Sequence, residues 1–188
     1  MIENKQRHLQ RLNLENNACG DLAAEYLCRA LMDNNKMLYL NLSKNKITDR
    51  GAFCVADMLR HNRSLLVLFL HWNKICSKGG VAIAKALYHN NSLQVFDFSF
   101  NNVGSTKEHE CAKAFAACFE SNTSLLHVDM SSDLFDREDV TILNEGLTKN
   151  HTILGIHMGG NKGKTDPLGF VNPLAENDEA ECHVFTRI

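Results

Sequence analysis

From Met37 to Ser64 the apolar residues first follow a strand-like period and then a helical one. Met37, Leu40 and Leu42 open the stretch, and Asn45 and Ile47 follow in a polar turn. Ala52, Val55, Ala56 and Leu59 then mark one face of a helix that ends near Asn62. The segment from Leu65 repeats this position by position: Asn73 answers Asn45, Ile75 answers Ile47, Ala84 answers Ala56, Leu87 answers Leu59 and Asn90 answers Asn62. Self-similarity at a fixed period of this length predicts a solenoid in which each unit supplies half a core and needs neighbours.

Aligned on the first apolar position, the units begin at Leu9, Met37, Leu65, Leu93, Leu125 and Ile153, spaced by 28 residues apart from one interval of 32. The fourth positions are Leu12, Leu40, Leu68, Phe96, Val128 and Ile156, and the sixth are Leu14, Leu42, Leu70, Phe98, Met130 and Met158. The ninth are Asn17, Asn45, Asn73, Asn101, Asp133 and Asn161. This is the pattern LxxLxLxxNxL of leucine-rich repeats. Over residues 9–163 its period, and its alternation of strand with full helix, resemble the ribonuclease-inhibitor class of these repeats. The resemblance implies an α/β, right-handed solenoid of six 28-residue repeats, with a parallel sheet on the concave face and helices on the convex face. Residues 1–164 form the repeat domain in this reading. Residues 165–188, which hold both prolines and lose the register, form a C-terminal cap or linker. The short start and the non-repeat tail also read as an excerpt from a longer solenoid.

Fourth and sixth positions point inward because side chains alternate along a strand. The ninth-position Asn, with a donor and an acceptor on one amide, suits the sharp turn leaving the strand and builds a buried ladder when stacked. Asp133 breaks that ladder in this reading, since a carboxylate cannot donate, and its turn is expected to be looser. Ser105 with Glu108, and Asp136 with Asp139, have capping-box spacing. The four extra residues of the long interval, near residues 104–110, are expected to lengthen the following helix by about one turn. The tripeptides at Asn41, Asn62, Asn90, Asn122 and Asn150 have the form of glycan acceptors, but turn chemistry at one repeat position accounts for four of them. Asn62, at a helix end, is expected to be more exposed than Asn73.

Composition narrows the partners. A net charge of -2 gives no reason to expect nucleic acid or an anionic membrane. MIENKQRHLQR lacks the apolar core of a signal peptide, and no apolar run approaches membrane-spanning length. Seven cysteines without a CxxC pair read as reduced thiols in a cytoplasmic protein, several of them filling small core slots, as Cys28 does.

Chemistry is sparse. Met158-Gly-Gly-Asn-Lys-Gly-Lys-Thr165 has the look of a phosphate loop, but Met158 stands where the motif needs Gly, and Asp166-Pro167 follows instead of a helix. The fifth positions, Asn13, Asn41, Phe69, Asp97, Asp129 and His157, line up across the concave face. Asp97, Asp129 and His157, with His127 beside them, have residue types that hold a metal or share a proton. Parallel strands generate such columns automatically, so the plainer reading is a polar stripe, and no catalytic residue, metal or cofactor is expected. Phe69, Trp72 and Phe100 are aromatics stranded outside the core. They read as a contact patch, with Asp97, Asp129 and His157 as its polar companions favouring a basic partner; bracing of the rim by a Trp72–Phe100 stack is the alternative.

The class resembled includes ribonuclease inhibitor, the sensing ends of nucleotide-binding immune receptors and the actin-filament-capping tropomodulins. It implies a non-enzymatic module that grips a protein partner through the concave face and rim. The stretch KNHTILGIHMGGNKG with DPLGFV also looks like the last repeat of long leucine-rich proteins of ciliated and flagellated protists, which adds cilium or cytoskeleton as an alternative location. The Ran GTPase-activating protein shares the repeat class and supplies the alternative function. No local motif here carries over its catalytic arginine, and EAECHVFTRI is only mildly acidic where that protein's tail is strongly so.

Overall fold

A computed structural model describes residues 9–104, 106–166 and 171–175. Six strands form one parallel sheet in sequence order: β1 (Arg11–Asn13), β2 (Tyr39–Asn41), β3 (Val67–Phe69), β4 (Val95–Asp97), β5 (His127–Asp129) and β6 (Gly155–His157). Between them run α1 (Gly20–Leu31), α2 (Asp49–His61), α3 (Ser77–His89), α4 (Glu110–Ser121) and α5 (Arg137–Thr148), each packed on its neighbours. The register pairs equivalent positions, so Leu40 lies beside Leu68 and Phe69 beside Asp97. Fourth- and sixth-position residues from Leu40 onward are buried against the helices, as the alternation demands. The molecule is a leucine-rich repeat solenoid.

Two polar ladders stitch the repeats. In the first, the side-chain oxygen of Asn73 accepts from Asn45 N and Ile47 N at 3.1 and 2.9 Å, and its Nδ2 donates to Leu42 O and Leu70 O at 3.1 and 2.8 Å. Asn45, Asn101 and Asn161 repeat the scheme. The second ladder runs along the helix C-termini. Nδ2 of Asn90 donates to Leu59 O, Nδ2 of Asn122 to Leu87 O and Nδ2 of Asn150 to Phe119 O, at 2.8, 2.7 and 2.6 Å. Asn62 belongs to it, donating to Leu31 O at 2.7 Å, and is 2% exposed against 9% for Asn73. The expectation that Asn62 is the more exposed is therefore corrected, because the next turn of the solenoid covers the helix end. Asn62→Ala and Asn73→Ala should each cost about 1–3 kcal/mol in urea unfolding, since each strands buried backbone groups. A loss at Asn62 under about 0.5 kcal/mol would contradict the second ladder.

The first ladder also runs through Asp133, where a break was expected. Asp133 is fully buried, Oδ1 accepts from Asn101 N at 2.8 Å, and its own N–H donates to Asn161 Oδ1 at 3.0 Å. Its other oxygen has no partner. Burial pushes this carboxyl well above the usual carboxylate range, and a protonated acid can occupy a position that an anion cannot.

The long interval does not lengthen its helix: α4 has 12 residues against 13 in α2 and α3. The extra residues lie in an irregular segment before it, which ends at His109 in a left-handed conformation with φ 52°. An added loop costs little chain entropy, whereas an added helical turn would overhang its neighbours. Asp136 and Asp139 form the capping box of α5; Ser105 of the other candidate pair lies outside the described residues.

Beyond the repeats, β7 (Gly163–Thr165) pairs antiparallel with β8 (Val171–Pro173), and β8 lies against α5. Lys164 and Thr165 lie in β7, paired with β8, rather than at the start of a helix, which removes the phosphate-loop reading. Val171 and Leu174 are buried, and Val171 N donates to Asn144 Oδ1 at 3.2 Å. Deletion of residues 165–188 is expected to increase hydrogen exchange in α5 and in the strand at Leu154 to Met158, as for a solenoid losing its end cover. Unchanged protection would make the segment a linker.

Candidate functional site

At the eighth position of every repeat the backbone is left-handed: Asn16, Lys44, Trp72, Phe100, Ser132 and Gly160 have φ between 55° and 77°. At the first five of these positions the backbone N–H donates to the next repeat. Lys44 N donates to His71 O, Trp72 N to Ser99 O and Phe100 N to Ser131 O, at 2.9, 3.0 and 2.8 Å. Glycine or asparagine takes this conformation most readily, and a bulky aromatic takes it against its preference. Trp72 and Phe100 are nonetheless there, 53% and 40% exposed, stacked with ring centroids 4.3 Å apart and planes 9° apart. Beside them Asn16, Lys44, Lys46, Trp72, Asn73 and Lys74 line an open pocket of about 470 Å³.

The concave face carries a second set of groups. Arg11 lies 4.3 Å from the centre of the Tyr39 ring, and Tyr39 meets Phe69 edge-on at 5.5 Å. Phe69 thus belongs to a row with Tyr39 and His71, beside the Trp72–Phe100 stack. Asp97, Asp129 and His157 stand opposite one another across β4, β5 and β6, but each is engaged separately. Asp97 Oδ2 lies 2.8 Å from His71 Nδ1, and Asp97 Oδ1 accepts from Ser99 Oγ at 2.7 Å. Burial pushes Asp97 up, but the hydrogen bonds from His71 and Ser99 outweigh it and hold the carboxyl below its usual range. Asp129 Oδ1 accepts from Ser131 N at 2.9 Å. His157 Nε2 and His127 Nε2 are 2.9 Å apart, so one imidazole donates to the other, and burial together with the neighbouring His157 lowers the pKa of His127.

Ser43 Oγ also lies 3.0 Å from His71 Nδ1, which brings Ser, His and Asp together. Serine and aspartate both meet Nδ1 here, whereas a catalytic triad needs serine on Nε2 and the carboxylate on Nδ1. The cluster is a hydrogen-bonded brace. Among the described residues the side chains with metal-type spacing are His109, Asp136 and Asp139, whose ligand atoms lie within 4.8 Å of one another. Asp136 and Asp139 are committed to the capping box, and His109 Nδ1 holds Asp139 Oδ1 at 2.8 Å, tying the start of α4 to that of α5. That hydrogen bond raises the pKa of His109. Of the cysteines, burial pushes Cys28 and Cys118 up to about 12, and Cys182 lies outside the described residues. Sequence reasoning missed His71, Ser43 and the lysines around Trp72. Extending the period-two alternation two residues past each strand reaches the first two.

The model of the TMOD/LMOD Leucine-rich domain matches residues 1–133. No curated protein matches the chain. Among solved structures, leiomodin-1 actin-binding site 2 is 26% identical with a TM-score of 0.64, the match covering 78% of this chain and 83% of that one. The tropomodulin C-terminal domain from Caenorhabditis elegans, 19% identical with a TM-score of 0.64, shares the fold over 77% of this chain and 86% of its own. With more than half of its length matched, the chain belongs to the tropomodulin and leiomodin leucine-rich domain family.

Proposed function

We propose that this chain is a non-enzymatic protein-interaction module that binds actin, with its contacts centred on Trp72 and Phe100. Phe69, Asp97 and Asp129, on the adjoining concave face, form the edge of the contact in this proposal, whereas His157, only 7% exposed, offers it little surface. The observation that carries the actin reading is the likeness to leiomodin-1 actin-binding site 2, within a family match that spans residues 1–133. An exposed aromatic stack on a rigid rim is the kind of anchor that dominates interface energetics. The proposed location is cytoskeletal; no helix among the described residues is long and apolar enough to cross a membrane. The Ran-activator alternative draws no support from the family match. Co-sedimentation with filamentous actin tests the proposal, with saturable pelleting of the folded chain expected. Absence of pelleting, together with faster GTP hydrolysis by a Ran-type GTPase, would replace it with the alternative.

A further inference from the structure

Trp72 and Phe100 do not stand on a neutral surface. Along the eighth-position row Lys44 precedes Trp72, and two residues further on Lys46 and Lys74 form the row beneath. All three lysines are exposed. Lys44 is held by Glu15 at 2.7 Å, while no carboxylate among the described residues lies within ion-pair distance of Lys46 or Lys74. Asp97, against His71, and Asp129, accepting from Ser131 N, keep their negative charge on the concave face but do not line this pocket. The pocket beside Trp72 is therefore lined by three lysines and no carboxylate, the reverse in sign of the Asp97–Asp129 column. Lys46 is itself left-handed, with φ 60°, which sets the direction of its Cα–Cβ bond at the rim.

We infer that the pocket beside Trp72 docks an acidic segment of the partner, whose apolar side chain lies against the Trp72–Phe100 stack while its carboxylates reach Lys46 and Lys74. The inference rests on the reading of this rim as the partner-binding edge and adds the chemistry of what it takes. Charge complementarity selects the occupant. A basic or uncharged segment would leave two exposed ammonium groups uncompensated at the contact, whereas an acidic one gains association rate from them.

The test uses two labelled peptides, one alternating Glu with Leu and Phe and the other carrying Lys in place of Glu, titrated against the whole chain by anisotropy. Trp72 is the sole tryptophan, so its emission reports on this site directly. The acidic peptide is expected to bind at least about tenfold more tightly than the basic one, with a change in Trp72 emission and a strong salt dependence. Lys46→Glu with Lys74→Glu should invert that preference while leaving the circular dichroism spectrum unchanged. Equal affinity for both peptides, no binding of the acidic one, or an unchanged preference in the double variant would overturn the inference. So would tighter binding of a single-stranded oligonucleotide or an anionic vesicle. Actin enters separately. A chain that takes the acidic peptide but does not pellet with filaments overturns the actin reading alone. Filament affinity unchanged by the double reversal overturns this inference alone.

Discussion

Replacing Asp133 by Asn is expected to stabilise the protein at neutral pH by about 1–3 kcal/mol. At the equivalent point Asn73 donates to two carbonyls, those of Leu42 and Leu70. The carbonyls that stand in the same relation to Asp133 are those of Phe98 and Met130. Each retains only the bond from its other ladder neighbour, from Asn101 Nδ2 and from Asn161 Nδ2, both at 2.7 Å. Asp133 Oδ2 faces the gap with no partner, and only a protonated carboxyl can donate into it. Because the pKa is raised on folding, the native state holds a proton that the unfolded chain releases above its ordinary value of about 3.9. The sign follows: the contribution of Asp133 is complete below about pH 4 and is lost as pH rises through the raised native value. The stability gap between Asp133→Asn and the parent chain should therefore widen with pH from mildly acid conditions upward. Urea unfolding of both proteins across that range tests this, and parallel pH profiles would mean that Asp133 is ionised in the fold. The neighbouring carboxylates Asp97 and Asp129 push in the same direction and are common to both proteins.

The second large effect is expected at Trp72, where stability and binding should separate. Trp72→Asn removes the stack on Phe100, worth about 0.5–1.5 kcal/mol, but relieves a left-handed backbone that costs a bulky residue about 1 kcal/mol. The two nearly cancel, so the melting temperature should hardly move. Affinity for filamentous actin should fall by about 2 kcal/mol or more, as for other central aromatic anchors. Trp72→Ala should weaken binding as much, with a small loss of stability. If the aromatics only brace the rim, both variants will melt early and bind normally, and the rim proposal fails.

The repeat frame is legible in the sequence because period and register are carried by apolar residues with one job each, as Leu40, Leu68 and Phe96 show. The Asn45–Asn73–Asn101 ladder is legible for the same reason. Legibility ends where a residue's state depends on what the next repeat lays over it. Asn62 looks like an exposed helix end until the following turn buries it, and Asp133 looks like a break although its Oδ1 and N–H stay in the ladder and burial raises its pKa. His71 carries no signal of its own, since its partners Ser43 and Asp97 come from the two flanking repeats. Of the candidate site, the stack of Trp72 on Phe100 follows from their shared eighth position. The positive charge around it comes from Lys46 and Lys74, one row in matching Asn-Lys-Ile contexts, and nothing in that local motif says that the row lies beside the stack.

The helix-end ladder also decides where such a chain can be manufactured. Asn62, Asn90, Asn122 and Asn150 each precede a residue and then Ser or Thr, and each spends its amide nitrogen inside the folded solenoid. In a secretory expression host the same nitrogens would be offered to the glycosylation machinery while the nascent chain is still open. A single sugar added there would remove a buried donor and wedge the next repeat away. Yield from a secreted expression system should therefore collapse, while expression in a bacterial cytosol should not.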